Sequence, residues 1–254
     1  GGSLKNGLEI NLKGKITSKP YLLMTLSLLN EIDINYTFKK NIIKIDKFNS
    51  SYLNKTFQIE SDWSSASYYY SFIALSKINT EITLKTFKKS SLQGDSILSK
   101  LFIEFGVETV FIDNSITLKK ITNSTPSINF DLVSSPDLAQ TIAVTCLGLK
   151  VDCVLTGLKT LLIKETNRLL ALKNEIKKLG TKVTITNDSL SFSIPNKIID
   201  NVSIDTYQDH RMAMSFAPLS LLTNISINNP DVVSKSYPNF WNDLEKIGVK
   251  INKP

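Results

Sequence analysis

"LKNEIKKLGTKVTITNDSLSFSI", residues 172–194, decides the kind of fold this chain builds. Leu172, Ile176 and Leu179 recur at helical spacing, and Gly180 stands where a helix stops with positive φ. "KVTIT" then alternates polar and apolar residues as a half-buried strand does. Asn187-Asp188-Ser189 makes a polar turn, and a second strand follows. The order is therefore helix, stop, strand, turn, strand. Two further segments follow the same plan, "LLNEIDINYTFKKNIIKI" (28–45) and "LFIEFGVETVFIDNSITL" (101–118), and "LEKIGVKIN" (244–252) gives its first half. Asp33, Gly106 and Gly248 occupy their helix-stop positions, and Asp113-Asn114-Ser115 is a second hairpin turn.

The interval between copies is roughly seventy residues, longer than most solenoid repeats. Between them lies another helix preceded by a strand. "SASYYYSFIALSK" follows "FQIE" (57–60), and "PDLAQTIAVTCLGL" follows "FDLVS" (130–134). The unit is βαβαββ, which builds mixed sheets with helices packed on one side, an α+β fold. "IESDWSSAS" (59–67) interrupts the pattern with small and acidic residues, and a domain hinge is expected there. The residues before it are too few for an independent core.

With 42% hydrophobic and 21% charged residues among 254, the chain has the composition of a soluble globular protein. No apolar run reaches membrane-spanning length, so no membrane role is expected. Cys146 and Cys153 lack zinc-site spacing, and the single histidine cannot complete a metal site. Both cysteines read as core residues in a reducing compartment, and no cofactor is implied. The net charge of +7 is spread over scattered lysines, without aromatic residues interleaved as in a stacking groove. Nucleic acid is therefore not an expected partner, and a lysine-rich solvated surface accounts for most of the charge.

Two helix entries carry the wrong charge. In "KETNR", Lys164 and Arg168 stand four apart in what reads as a first helical turn, at the positive end of the helix dipole. In "YQDHRMAMSFAPLSLL" (207–222), Asp209 caps a helix, His210 and Arg211 fall in its first turn, and Met212, Phe216 and Leu219 face the core. Free helical N–H groups beside cations make an anion site. The bland alternative pairs Glu165 with Arg168 three residues on, leaves Lys164 in water and makes His210 structural. Two such entries in one chain favour a shared anion site. Four more stretches are suited to a ligand. "SKPY" has Ser18, Lys19 and Tyr21 around a first-turn Pro20. "SSPDLAQT" has Ser135 as cap, then Pro136 and Asp137, although an acid there stabilises any helix. "SKSYPNFW" places Lys235 before the last helix, and "KSSLQGD" (89–95) reads as a loop entering a helix.

Taken in order, "SKPY", "SDWSSASYY", "SSLQGD", "SPDLAQT", "KETNRLLALKNEIKKLG", "YQDHRMAMSFAPLSLL" and "SKSYPNFW" resemble the successive motifs of the enolpyruvylshikimate-phosphate synthases, the 3-phosphoshikimate carboxyvinyltransferases. The likeness runs from Ser18 to Trp241. Its pairing of K-E-T-x-R with D-H-R-M-A-M separates it from the UDP-N-acetylglucosamine enolpyruvyltransferases of the same fold. The resemblance implies a two-lobed inside-out α/β barrel, each lobe made of three βαβαββ units. Residues 1–59 would be the last part of the N-terminal lobe and 60–254 most of the C-terminal lobe. The implied reaction, in aromatic amino acid biosynthesis in the cytoplasm, moves the enolpyruvyl group of phosphoenolpyruvate to the 5-hydroxyl of shikimate 3-phosphate and releases phosphate.

By the same resemblance, Asp137, Glu165 and Lys235 are the candidate proton-transfer residues. Ser18, Tyr21 and Lys164 match shikimate 3-phosphate contacts. Arg168, Arg211 and Lys235 match phosphoenolpyruvate contacts, and His210 supports Glu165 and Arg211. The sequence departs from the family at Asn167, where aspartate is usual, at Thr160, where many members have asparagine, and at Leu162, where many have arginine. The lysine-serine-arginine cluster, glycine-rich phosphate loop and serine-serine-glutamine motif of the family's N-terminal lobe do not occur in these 254 residues. No transferase activity is therefore expected of this chain by itself. The competing readings are a non-catalytic anion-binding module or a nucleotide-sugar enolpyruvyltransferase of the same fold, and a basic nucleic-acid-binding domain.

Overall fold

The computed structural model describes residues 1–14, 16–48, 56–193 and 197–252. The first segment forms β1 (Leu8–Asn11), α1 (Lys19–Glu31), β2 (Tyr36–Lys39) and β3 (Ile42–Ile45), with an antiparallel sheet in the order β1-β3-β2. Leu26, Ile34, Ile43 and Ile45 form a small core of their own. The second unit is α2 (Trp63–Leu75), β4 (Glu81–Lys85), α3 (Leu98–Leu101), β5 (Val107–Ile112) and β6 (Ser115–Lys120), with the antiparallel order β4-β6-β5.

The third unit contains all six elements: β7 (Ser127–Asp131), α4 (Ala139–Leu149), β8 (Asp152–Thr156), α5 (Arg168–Lys178), β9 (Thr184–Ile185) and β10 (Ser189–Phe192). Its sheet runs β7-β8-β10-β9, parallel at the first pair and antiparallel after it. This is the mixed sheet that the repeat predicts. The fourth unit has β11 (Val202–Ile204), α6 (His210–Phe216), β12 (Ile225–Ile227) and α7 (Phe240–Lys246), with β11 parallel to β12.

The helix stops fall as the sequence indicates: Asp33, Gly106, Gly180 and Gly248 all have positive φ. Two expected strands do not form. Phe57–Glu60 carries no strand, and Glu60 instead accepts hydrogen bonds from Trp63 Nε1 (2.9 Å), the Lys88 amide (2.8 Å) and Ser91 Oγ (2.7 Å). Residues 249–252, after Gly248, likewise stay outside any described ladder. The stretch read as a hinge contains the entry into α2, where the Asp62 carboxylate accepts from the Ser64 and Ser65 amides.

One large core joins units two to four. The central helix α2 is buried on nearly every face, and α4 packs on α2 and α6. Polar contacts between α2 and α4 are satisfied: Ser67 meets Thr141 at 2.9 Å, and Thr145 donates to Ser71 at 2.8 Å. Small hydroxyl residues let the two helices approach closely, and their mutual hydrogen bonds offset the cost of burying them. Cys146 and Cys153 are buried free thiols in this core. Among the described residues, no helix is long and apolar enough to cross a membrane.

Gly106 shows how strictly the helix stops are specified. Its φ is +73°, and a Cβ there would run into the Thr122 carbonyl oxygen. Gly106→Ala is expected to lower unfolding free energy by about 2 kcal/mol or more, since left-handed strain alone costs ~1–2 kcal/mol. Urea denaturation reads this, and a loss below about 0.5 kcal/mol would mean that the backbone relaxes freely there.

Candidate functional site

Three helix entries meet on one carboxylate. The turn Pro136–Leu138 leads into α4 and carries Asp137, residues 164–168 lead into α5, and α6 begins at His210. Asp137 Oδ1 lies 2.9 Å from Arg168 Nη1 and 3.2 Å from Lys164 Nζ, and Oδ2 lies 3.5 Å from Arg211 Nη2. Burial alone would raise the Asp137 carboxyl, but the Arg211, Lys164 and Arg168 charges outweigh it and hold the group below the usual carboxylate value.

Arg168 resolves the anomaly of its own helix. Its side chain is only 2% exposed. Nε donates to Asp209 Oδ2 at 2.6 Å, Nη1 to Asp137, and Nη2 to Glu165 Oε2 at 2.6 Å. Each nitrogen of the fork is therefore engaged by an internal carboxylate, and a bound anion is not needed to make the residue tolerable there. The i,i+3 pair with Glu165 is present, as the bland reading expects. Lys164, by contrast, lies outside the helix. Asn167 is the true cap, its Oδ1 accepting from the Leu170 amide at 3.1 Å. Asparagine caps as well as aspartate, so the departure at this position keeps the helix start and removes one negative charge.

Arg211 is the unsaturated cation. It is largely buried, its Nε has no partner, and its contacts to Asp137 are 3.5 Å. Burial works against its charge, but Tyr68, Asp137, Asp95 and Asp62 keep it firmly protonated. The Tyr68 hydroxyl is also buried without a partner, and burial pushes its pKa up to about 12 against the pull of Arg211. His210 Nδ1 stands 4.0 Å from Glu165 Oε1 with no hydrogen bond. Burial, then the Arg211 charge, lowers the His210 pKa, so the imidazole is neutral at physiological pH.

The remaining candidates surround this cluster. Lys235 ends the turn Pro230–Lys235, which packs on α6, and its Nζ donates to the Gln208 carbonyl at 3.2 Å. Ser18 precedes α1, and its amide donates to the Val133 carbonyl at 3.1 Å in the loop before Asp137. Tyr21 is mostly buried, near Asp95 and Asp137. Ser135 does not cap its helix; its hydroxyl donates to the Gly94 carbonyl at 3.1 Å. Thr160 has a buried hydroxyl without a partner, and Leu162 packs on the core. From the sequence Asp209 reads as a cap alone, and neither Tyr68 nor Asp95 is singled out within the stretches that contain them. Asp209 does cap, accepting from the Arg211 amide at 2.8 Å, but it also binds Arg168. Nothing local distinguishes a cap that also binds an arginine from one that does not.

The fold built from these repeated units is that of solved enolpyruvyl transferases. The structure matches that of an enolpyruvyl transferase from Streptomyces tendae with a TM-score of 0.72 at 14% identity, covering 99% of this chain and 58% of that one. It matches EPSP synthase from Acinetobacter baumannii with a TM-score of 0.73 at 20% identity, covering 99% and 59%. The family model described as EPSP synthase (3-phosphoshikimate 1-carboxyvinyltransferase) matches residues 2–244, and the chain belongs to that family. A 3-phosphoshikimate 1-carboxyvinyltransferase of Bacteroides fragilis is 43% identical over 99% of this chain and 62% of its own length. One from Dehalococcoides mccartyi is 34% identical over 98% and 58%. The chain thus spans about three fifths of the length of these relatives.

Proposed function

We propose that this chain is the C-terminal portion of an enzyme that transfers the enolpyruvyl group of phosphoenolpyruvate to the 5-hydroxyl of shikimate 3-phosphate. Residues 1–59 are read as the end of the N-terminal lobe and 60–254 as most of the C-terminal lobe, working in the cytoplasm. The supporting observation is the Asp137 carboxylate in contact with three cations from two other chain segments, one of them a buried guanidinium whose Nε has no partner. Such a site suits a pair of substrates that together carry phosphates and carboxylates and must be held in one geometry.

The chemistry is addition followed by elimination. The 5-hydroxyl oxygen bonds to the central carbon of phosphoenolpyruvate, the hydroxyl loses its proton, and the methylene carbon gains one. The carbon–oxygen bond to phosphate then breaks as the new methyl group gives a proton back. In this reading Asp137 takes the hydroxyl proton, and Glu165 or Lys235 serves the methylene carbon. Arg168 places Asp137 and Glu165 on one guanidinium, which fixes base and acid relative to each other. Arg211, Lys235 and Lys164 are the cations available to the substrates, Ser18 and Tyr21 meet shikimate 3-phosphate from α1, and His210 backs Glu165.

The chain by itself is expected to bind shikimate 3-phosphate in a calorimetric titration, yet to release no detectable phosphate from both substrates together. Steady turnover would overturn the division of labour between the lobes. No binding at millimolar ligand would overturn the site assignment.

A further inference from the structure

Gly94 and Asp95 lie where α1, α2 and the turn bearing Asp137 come together, and no step described above uses them. Asp95 is fully buried. Its Oδ2 accepts from Ser64 Oγ at 2.5 Å, while Oδ1 makes no standard hydrogen bond. The Tyr21 hydroxyl faces the same carboxylate and Ser64. Burial first, then the Asp95 charge, drives the Tyr21 phenol upward, so it is a neutral donor throughout the physiological range. The backbone holds the same arrangement. A Cβ on Gly94 would lie 2.9 Å from Pro20 Cβ and 3.2 Å from Tyr21 Cε2, so the chain passes directly against the first turn of α1. The Gly94 carbonyl accepts the Ser135 hydroxyl at 3.1 Å, tying this point to the turn that carries Asp137. Burial raises the Asp95 pKa, and Ser64, Tyr21 and the Arg211 charge pull it back only in part.

A buried carboxylate is costly unless its partners need it. Here its partners belong to different segments: Ser64 lies on α2, and Tyr21 lies on α1, beyond residues 49–55. Ser64 alone could be satisfied by a neutral acceptor. A carboxyl group that also faces a tyrosine on another segment instead fixes where that ring and hydroxyl stand. We propose that Asp95 is a positioning residue, holding Tyr21 across the junction of the two segments in the orientation that contacts shikimate 3-phosphate. The proposal rests on the reading that Tyr21 meets that substrate. Gly94 serves the same end, because a side chain there would displace Pro20 and the Tyr21 ring.

The test is a double-mutant cycle on the 254-residue chain, with shikimate 3-phosphate titrated calorimetrically. Asp95→Asn is expected to weaken binding about tenfold, the scale of one lost polar contact. Tyr21→Phe should weaken it similarly. In the Tyr21→Phe background, Asp95→Asn should change the Kd less than twofold, because it acts through a hydroxyl already gone. Unchanged binding by Asp95→Asn, or losses that multiply in the double variant, would overturn the proposal. A merely structural aspartate gives the multiplied result.

A measurement on the unaltered chain keeps the question open to refutation if Asp95→Asn does not fold. With tyrosines labelled at the ζ carbon, the Tyr21 signal, identified by its loss in Tyr21→Phe, should stay unshifted to pH 11. Titration near the ordinary value of 10 would overturn the Asp95 contact. If that signal stays flat and the unaltered chain binds no shikimate 3-phosphate, the functional reading falls and takes the positioning role with it. Binding with an unaffected Asp95→Asn variant sinks the positioning role alone.

Discussion

Arg168→Ala is expected to lower the unfolding free energy by about 3–5 kcal/mol at neutral pH, the cost of leaving buried carboxylates without their cation. Arg168 bonds three acids from separate segments, and one of them, Asp209, has no exposed side-chain surface. Arg168→Lys keeps the charge but cannot hold three carboxylates in one plane, so its loss should be intermediate. The pH dependence has a definite sign. The Asp137 carboxyl is held below its ordinary 3.8 in the folded chain. Its pairing therefore adds stability fully above the unfolded value and loses it as pH falls through the folded one. The gap between wild type and Arg168→Ala should accordingly be widest near pH 7 and narrow as the acids protonate below about pH 4. Urea unfolding of both proteins from pH 7 to 3 reads this. A gap under about 1 kcal/mol, or one independent of pH, would show that Arg168 is not the keystone of the acid cluster.

What was legible in the sequence is what local stereochemistry dictates. Asp33, Gly106, Gly180 and Gly248 could be placed because positive φ is a single-residue requirement, and the alternating strands of the third unit because pleat and burial share a period. The "FQIE" strand fails for the opposite reason. A strand exists only with a ladder partner, and Glu60 is instead occupied by the Lys88–Ser91 loop. Sequence reading also put Lys164 one turn too far into α5. Lys164 is held outside the helix by Asp137, a residue 27 positions away, while Asn167 takes the cap. The same limit hid the full role of Arg168. Its partner Glu165 lies three residues away and was visible, but Asp137 and Asp209 stand 31 and 41 positions distant. Anomalous charge at a helix start marks residues that the structure does bring together, yet at Arg168 the compensation is internal, and it is Arg211 whose Nε is left without a partner.

That division makes Asp137→Asn the most discriminating substitution, because its two effects have opposite signs. Asp137 is the counter-anion shared by Arg168, Lys164 and Arg211. At a separation of about 7 Å and an effective dielectric near 20, removing one negative charge favours a neighbouring anion by about 2 kcal/mol. Inorganic phosphate and phosphoenolpyruvate should therefore bind this chain about tenfold or more tightly after the change, as calorimetry at low ionic strength would show. Turnover by the enzyme of which the chain is proposed to form part should fall by about 10²–10⁴, because an amide cannot accept the hydroxyl proton. An aspartate that only braced the fold would weaken both. Looser phosphate binding by Asp137→Asn would mean that the three cations need this carboxylate to stay in place, so the pocket would not be an anion site already filled by its own acid.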